Sequence, residues 1–359
     1  MSNTTEPVVI VGGGQSGLAA ARAARDCGLR PLVLEAGDRP AGSWPHYYDS
    51  LTVFSPAGYS SMPGMPFGGD PDRYPTRDET VAYLERYAAG LDVEIRTNTT
   101  VQSVEAGEHG FTVQTADGRR IDAAGVVAAS GSFSRPYVPE LPGLEGFGGE
   151  VLHVADYRNP KPYAGRRVVV VGGGNSGVQV GYELSEVATV TLATRAPLTF
   201  LPQRTRGKDL HYWLRTLGFD DLPPAWLARI VTGPLVLDTG RYQAAFDSGR
   251  LDRRPMFATL DGDRIVWADG TRERVDVVLF ATGYRPSLEY LRGLGAFDPN
   301  GMPVHSGGIS LTHPGLVYVG LEFQRSFSSN TLRGASRDAD YVMAPLAAHV
   351  QGAAAAGSL

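Results

Sequence analysis

Apolar and polar positions along this chain fall into one pattern that occurs twice. Val8-Val9-Ile10-Val11 is an unbroken apolar run, the mark of a strand covered on both faces in a parallel sheet. Gly12-Gly13-Gly14-Gln15-Ser16-Gly17 follows at once. An alanine-rich stretch, Leu18 to Asp26, then reads as a helix closed by Gly28, and Leu32-Val33-Leu34 is a second strand ending in Glu35. The second copy runs from Arg166. Val168 to Val171 lead into Gly172-Gly173-Gly174-Asn175-Ser176-Gly177, a helix to about Glu186, and the strand Val190-Thr191-Leu192. Strand, glycine turn, helix and strand make a βαβ unit. Glycines at the first and third turn positions (12 and 14, 172 and 174) allow a tight turn and close approach to a pyrophosphate. Gly17 and Gly177 let helix and strand pack closely, and the helix N-terminal amides attract the anion.

Other segments are read by the same periodicities. Residues 36 to 75 are irregular and aromatic, a loop of functional length. Thr76-Arg77-Asp78-Glu79 is a capping box, and Val81, Leu84 and Ala88 follow at helical spacing. Short alternating strands fill Val93 to Ile121, with a hairpin turn at Asp117-Gly118; Leu260 to Glu273 reads the same way. Gly125 to Ala129 and Val275 to Ala281 are buried strands, each ending in a small residue and a glycine. Residues 197 to 255 form an insertion without readable chemistry, Gly315 to Gly320 is a further strand, and a terminal helix is expected from about Ser336 to Val350.

The two copies differ where it matters chemically. Glu35 ends the second strand of the first copy, where a carboxylate accepts from both hydroxyls of an adenosine ribose and repels a 2′-phosphate. The first site therefore suits FAD or NAD. The second copy carries Thr194-Arg195, and a guanidinium there can hold a 2′-phosphate bidentately, with Arg204 a further cation downstream. Composition narrows the rest. A length of 359 residues suits two domains, and a net charge of −5 argues against nucleic acid or a polybasic membrane surface. The single cysteine, Cys27, excludes a Cys-x-x-Cys redox pair, and the seven histidines show no metal-ligand spacing. No apolar run approaches a spanning helix and the first strand starts near the N-terminus, so a cytoplasmic protein is expected.

Taken together these motifs resemble the flavin-containing monooxygenases, in a compact bacterial form. Phe147-x-Gly149-x-x-x-His153-x-x-x-Tyr157 fits that family's identifying motif at each fixed position, and its Tyr157-Arg158 ending separates it from the Baeyer–Villiger variant. The likeness extends from residue 8 to about 345. It implies an α/β fold of two Rossmann-like, three-layer domains, each with a parallel sheet: an FAD domain, 1–159 plus 279–359, interrupted by an NADPH domain, 160–278. It implies FAD held by Gly12, Gly14, Gln15, Ser16, Gly17, Glu35, Gly42, Ser43, Trp44 and Leu332, and NADPH held by Gly172, Gly174, Asn175, Ser176, Gly177, Arg195 and Arg204. Ala196, where the family often carries a hydroxyl, leaves room for NADH.

The implied activity is a two-stage oxidation. NADPH reduces FAD, the reduced flavin forms a C4a-peroxyflavin with O2, and that species oxygenates a thioether or amine, or a ketone by Baeyer–Villiger reaction. The cofactor does the chemistry, so no catalytic residue is assigned, and no metal. Phe54 and Ser55 are candidates for the flavin pocket, and His153 is read as structural rather than as a general base. The expected partners are O2 and a small substrate, without nucleic acid or membrane; a homodimer is compatible with them. One departure opens an alternative. Pro75-Thr76-Arg77 lacks the Asn that larger members place beside the flavin, which favours an NAD(P)H oxidase or reductase that releases hydrogen peroxide.

Overall fold

The computed structural model describes residues 6–108, 110–230 and 235–356; the outermost ends of the expected first domain lie outside them. Two parallel sheets organise the chain. The first has seven strands in the order His305–Ser306, Ile309–Ser310, Leu316–Tyr318, Gly125–Ala128, Val8–Val11, Pro31–Leu34, Glu94–Arg96, and its last five are parallel. The second has five parallel strands in the order Asp252–Pro255, Thr189–Thr194, Arg167–Val171, Val277–Phe280, Glu150–His153. In each, the strand before a glycine turn is flanked by the strand after its helix and by the strand that ends in a small residue and glycine. The duplication read from the chain is thus a duplication of register: Val11 faces Leu34 and Ala128, and Val171 faces Ala193 and Phe280.

Strand periodicity explains the unbroken apolar runs. Val8 and Ile10 pack into one core with the helices Gln15–Asp26 and Leu332–Ala356, while Val9 and Val11 pack on the other face against Val104, Phe111 and Val113 of an antiparallel sheet. The second sheet repeats this. Val168 and Val170 face the helix Asn175–Leu184, and Val169 and Val171 face Leu260, Ile265 and Trp267 of a small antiparallel sheet. Both faces are dry, so neither can carry alternating polar residues.

Several expectations shift. The first helix begins at Gln15, so the end of the glycine turn is itself the first helical turn. The terminal helix begins at Leu332, one turn early, because the Thr331 hydroxyl accepts from the Gly334 amide at 3.3 Å. The capping box is complete: Thr76 N–H donates to Glu79 at 2.8 Å and Glu79 N–H to Thr76 at 3.2 Å. Of the strands expected over 93 to 121, Glu94–Arg96 joins the parallel sheet as its edge, and the rest form the antiparallel sheet. Strands Glu150–His153 and Val277–Phe280 belong to the second sheet, so the linker motif and the strand before Ala281 lie with the second unit. The insertion supplies that sheet's edge strand, Asp252–Pro255.

Candidate functional site

One cavity of about 1140 Å³ runs across the C-terminal ends of both parallel sheets and is lined by both glycine turns. Gly12, Gly14, Gln15 and Ser16 line one part, and Gly174, Asn175 and Ser176 another. This is the place where open α/β sheets hold ligands. Both helices that start here, Gln15–Asp26 and Asn175–Leu184, have a glycine N-cap and no side-chain cap, which leaves their first-turn amides free for an anion. Gly17 must be glycine, since a Cβ there would stand 1.8 Å from the Gly12 carbonyl oxygen.

Glu35 is buried at the cavity wall. Its two carboxylate oxygens accept from the backbone amides of Gly13 at 2.5 Å and Gly37 at 2.7 Å. The amides fix the carboxylate against the glycine turn, and each oxygen keeps a lone pair for a ribose hydroxyl. Gly42 and Ser43 also line the cavity, whereas Trp44 lies behind it. The Trp44 indole donates to Gln15 Oε1 at 2.9 Å, and Gln15 Nε2 donates to the Asn330 carbonyl at 3.2 Å. Gln15 therefore ties the irregular segment to the approach of the terminal helix. Leu332 is buried just inside that helix, and it is Asn330 that reaches the cavity.

At the second turn, Asn175 is committed to the protein. Its amide donates to the Leu235 carbonyl at 3.3 Å and accepts from the Leu237 amide at 2.9 Å. Arg195 is exposed immediately past the strand Thr189–Thr194, with no ion pair among the described residues. Arg253, which the sequence did not single out, donates to the Thr194 hydroxyl at 2.7 Å beside it. Arg204 turns the other way, 3.7 Å from Asp72, and does not line the cavity. Phe54 and Ser55 do not line it either. The Phe54 ring stacks on His211, with centroids 6.0 Å apart, and the Ser55 hydroxyl lies 2.9 Å from that of Ser60.

The linker motif acquires a physical account. Gly149 has no room for a side chain, because a Cβ would lie 2.6 Å from the Phe147 ring and 2.8 Å from the Asp276 carbonyl oxygen. His153 is buried, its Nδ1 accepts from the Ala155 amide at 3.1 Å, and burial pushes its pKa down. Its ring is set edge-on to Tyr284 at 5.0 Å. Tyr157 is buried, with its hydroxyl donating to Glu183 at 3.0 Å. From His153 a row of edge-to-face rings crosses the junction of the two units: Tyr284, Phe133 at 5.0 Å, Tyr47 at 5.5 Å and Trp44 at 5.6 Å. Phe133 and Tyr284 face the cavity; only the glycine before Tyr284 signalled either of them in the sequence. Among the described residues, no group of three or more His, Cys, Asp or Glu could hold a metal, and no helix is long and apolar enough to cross a membrane.

A fold with two such nucleotide sites facing one cavity defines a two-dinucleotide oxidoreductase, and the comparisons agree. Residues 9–222 match the family model of pyridine nucleotide-disulphide oxidoreductases. An uncharacterized CzcO-like oxidoreductase of Geobacillus kaustophilus is 32% identical over 95% of this chain and 98% of its own. An indole-3-pyruvate monooxygenase of Oryza sativa subsp. japonica is 32% identical over 78% of this chain and 77% of its own. The solved flavin-containing monooxygenase of Stenotrophomonas maltophilia superposes with a TM-score of 0.84 at 34% identity, covering 96% of this chain and 98% of that one. The chain belongs to the pyridine nucleotide-disulphide oxidoreductase family, within its flavin-containing monooxygenases. It is accordingly an FAD- and NADPH-dependent oxidoreductase.

Proposed function

We propose that this enzyme couples NADPH oxidation to the oxygenation of small soft nucleophiles, thioethers and amines foremost, with ketones as a further class. The observation that carries the reading is the shared cavity lined by both glycine turns and Glu35, with Arg195, outside that lining, exposed just past the strand Thr189–Thr194 of the other copy. Bound FAD supplies the hydride acceptor and the site of O2 activation. The chain's own residues do the rest. Glu35 orients the flavin adenosine ribose, the two uncapped helix N-termini hold the pyrophosphates, and Arg195 holds the 2′-phosphate. Phe133 and Tyr284 wall the space between the sites. His153 is a structural residue on this reading, because its Nδ1 lone pair is engaged by the Ala155 amide. The division we propose follows the sheets, with 6–149 and 281–356 around the flavin and 150–280 around the nicotinamide nucleotide.

A second reading is an NAD(P)H oxidase that releases peroxide. It draws support from Thr76 and Arg77, which stand where an amide is missing and are both engaged: Thr76 in the capping box, Arg77 with the Tyr47 carbonyl at 2.7 Å and Asp49 at 2.9 Å. The test is stoichiometry. NADPH-reduced enzyme is mixed with O2 and an aryl methyl thioether, a tertiary amine or a cyclic ketone, and NADPH, peroxide and product are counted. Sulfoxide matching the NADPH consumed supports the monooxygenase. Peroxide matching NADPH with every compound supports the oxidase.

A further inference from the structure

The insertion that carried no readable chemistry is anchored at three places. At its root, the strand Leu235–Asp238 pairs with Thr199–Pro202 and is gripped by Asn175 of the second glycine turn. Midway, Asp209 is buried against the irregular segment of the first unit. Its carboxylate accepts from the Tyr74 hydroxyl at 2.6 Å, Gln203 Nε2 at 2.8 Å and the His211 amide at 2.8 Å, and it meets His211 Nδ1 at 2.7 Å. Gln203 also donates to the Phe54 carbonyl at 3.0 Å. At the far end, Arg333 in the first turn of the terminal helix forms a two-pronged pair with Asp220, at 2.8 and 3.0 Å. These two side chains are only 12% and 7% exposed, unlike the neighbouring exposed pair Arg337–Asp221. Phe219 and Phe327 meet edge to face beside them at 5.9 Å.

Two of the anchored points flank the cavity. Asn175 lines it at the second glycine turn, and Arg333 is three residues past Asn330, which lines it on the flavin side. Among the described residues, nothing between Ser176 and Ala281 lines the cavity. The insertion thus joins the two nucleotide sites from outside without lining the cavity between them. Hydride transfer depends on how closely two rings are held, and a misplacement of about 1 Å can lower a rate by roughly 10²-fold.

We propose that residues 199–221 are a rigid tie that sets the second glycine turn against the start of the terminal helix, with Asp220 the positioning residue at its far end. This rests on the reading of the two nucleotide sites given above. A buried two-pronged guanidinium–carboxylate pair suits that task, being directional and costly to break from one side.

The test uses the FAD-loaded enzyme, NADP+ and hydrogen exchange. In the wild type, NADP+ is expected to raise the protection of amides 330–336 about fivefold or more, the usual lower range of coupling between sites. In Asp220→Asn that transfer is lost. The anaerobic rate of flavin reduction at saturating NADPH falls about tenfold, while the Kd for NADP+ changes less than about threefold. The double variant Asp220→Leu/Arg333→Met, which replaces a buried pair by apolar groups of similar size, keeps the fold and shows the same two losses even if the single variant does not fold. Equal transfer of protection in wild type and variants, or an unchanged reduction rate per bound flavin, overturns the tie and leaves the cofactor reading standing. Failure of NADP+ to bind the wild type overturns both.

Discussion

Glu35 and Arg195 stand one residue apart in register in two copies of one motif: Val11 pairs with Leu34, just before Glu35, and Val171 with Ala193, two before Arg195. Each directly follows the strand that pairs in parallel with the strand leading into its glycine turn. The carboxylate is sealed against backbone amides, whereas the guanidinium is exposed and without an ion pair among the described residues. On the proposed reading, one site accepts hydroxyls and the other receives an anion.

Arg195→Ala should therefore act on one coenzyme. Losing a charged hydrogen-bonding partner of the 2′-phosphate is worth about 1.5–3 kcal/mol, so the KM for NADPH should rise about tenfold or more. The KM for NADH should move little. Equal rises, in steady-state assays with both coenzymes, would show that Arg195 does not hold the phosphate.

Glu35→Gln should weaken flavin binding. The substitution removes the charge that the Gly13 and Gly37 amides serve and half of the acceptor capacity offered to the ribose. A loss of about 1–3 kcal/mol corresponds to a Kd for FAD roughly 5- to 150-fold higher, measured by fluorescence titration of the apoprotein. An unchanged Kd would remove Glu35 from the flavin site.

His153 should appear in stability rather than in catalysis. Burial holds its pKa below the ordinary value of 6.5, so stability is complete at higher pH, where the ring is neutral folded and unfolded. As the pH falls below about 6.5 the unfolded chain binds the proton first, and stability declines until the folded pKa is passed. His305, also depressed by burial, contributes with the same sign. His153→Gln should flatten the fall of Tm between about pH 7.5 and 5 and leave the pH dependence of kcat/KM unaltered. A shifted kinetic profile would restore His153 as a proton-transfer group.

Asp209 acts in the opposite sense. Burial alone would raise its pKa, but the hydrogen bonds from His211, Tyr74 and Gln203 overcome that and hold it at about 2, below the ordinary 3.8. Its contribution is present above the ordinary value and is lost as the pH drops towards 2. Asp209→Ala should destabilise by about 3 kcal/mol, because the buried Gln203 and His211 and the half-buried Tyr74 lose their acceptor together. Denaturant unfolding at neutral pH checks this, and a change below about 1 kcal/mol would mean that the insertion docks without it.

What could be read in the chain was local. The strands, glycine turns and capping box consist of neighbours within a few residues, and Glu35 was legible because its position in a βαβ unit is fixed by the unit itself. The linker motif was recognisable, though its cause was not. Gly149 is required by the Phe147 ring and by a carbonyl from Asp276, far along the chain. The insertion was opaque for the same reason. Asp209 meets Tyr74 across 135 positions and Asp220 meets Arg333 across 113, so no window of sequence contains either pair. Arg204 and Phe54 illustrate the converse: plausible residue types near the right motif, each drawn to other partners by tertiary packing.

The exposure of Arg195 has a consequence for how coenzyme choice responds to the medium. Charges in open solvent are screened over about 8 Å at physiological ionic strength, and buried, amide-held groups much less. Added salt should therefore erode the preference for NADPH over NADH while leaving flavin retention at Glu35 almost untouched. If Arg195 holds the 2′-phosphate as proposed, coenzyme preference is not a constant of the fold but a graded function of ionic strength, set by a single side chain at the surface.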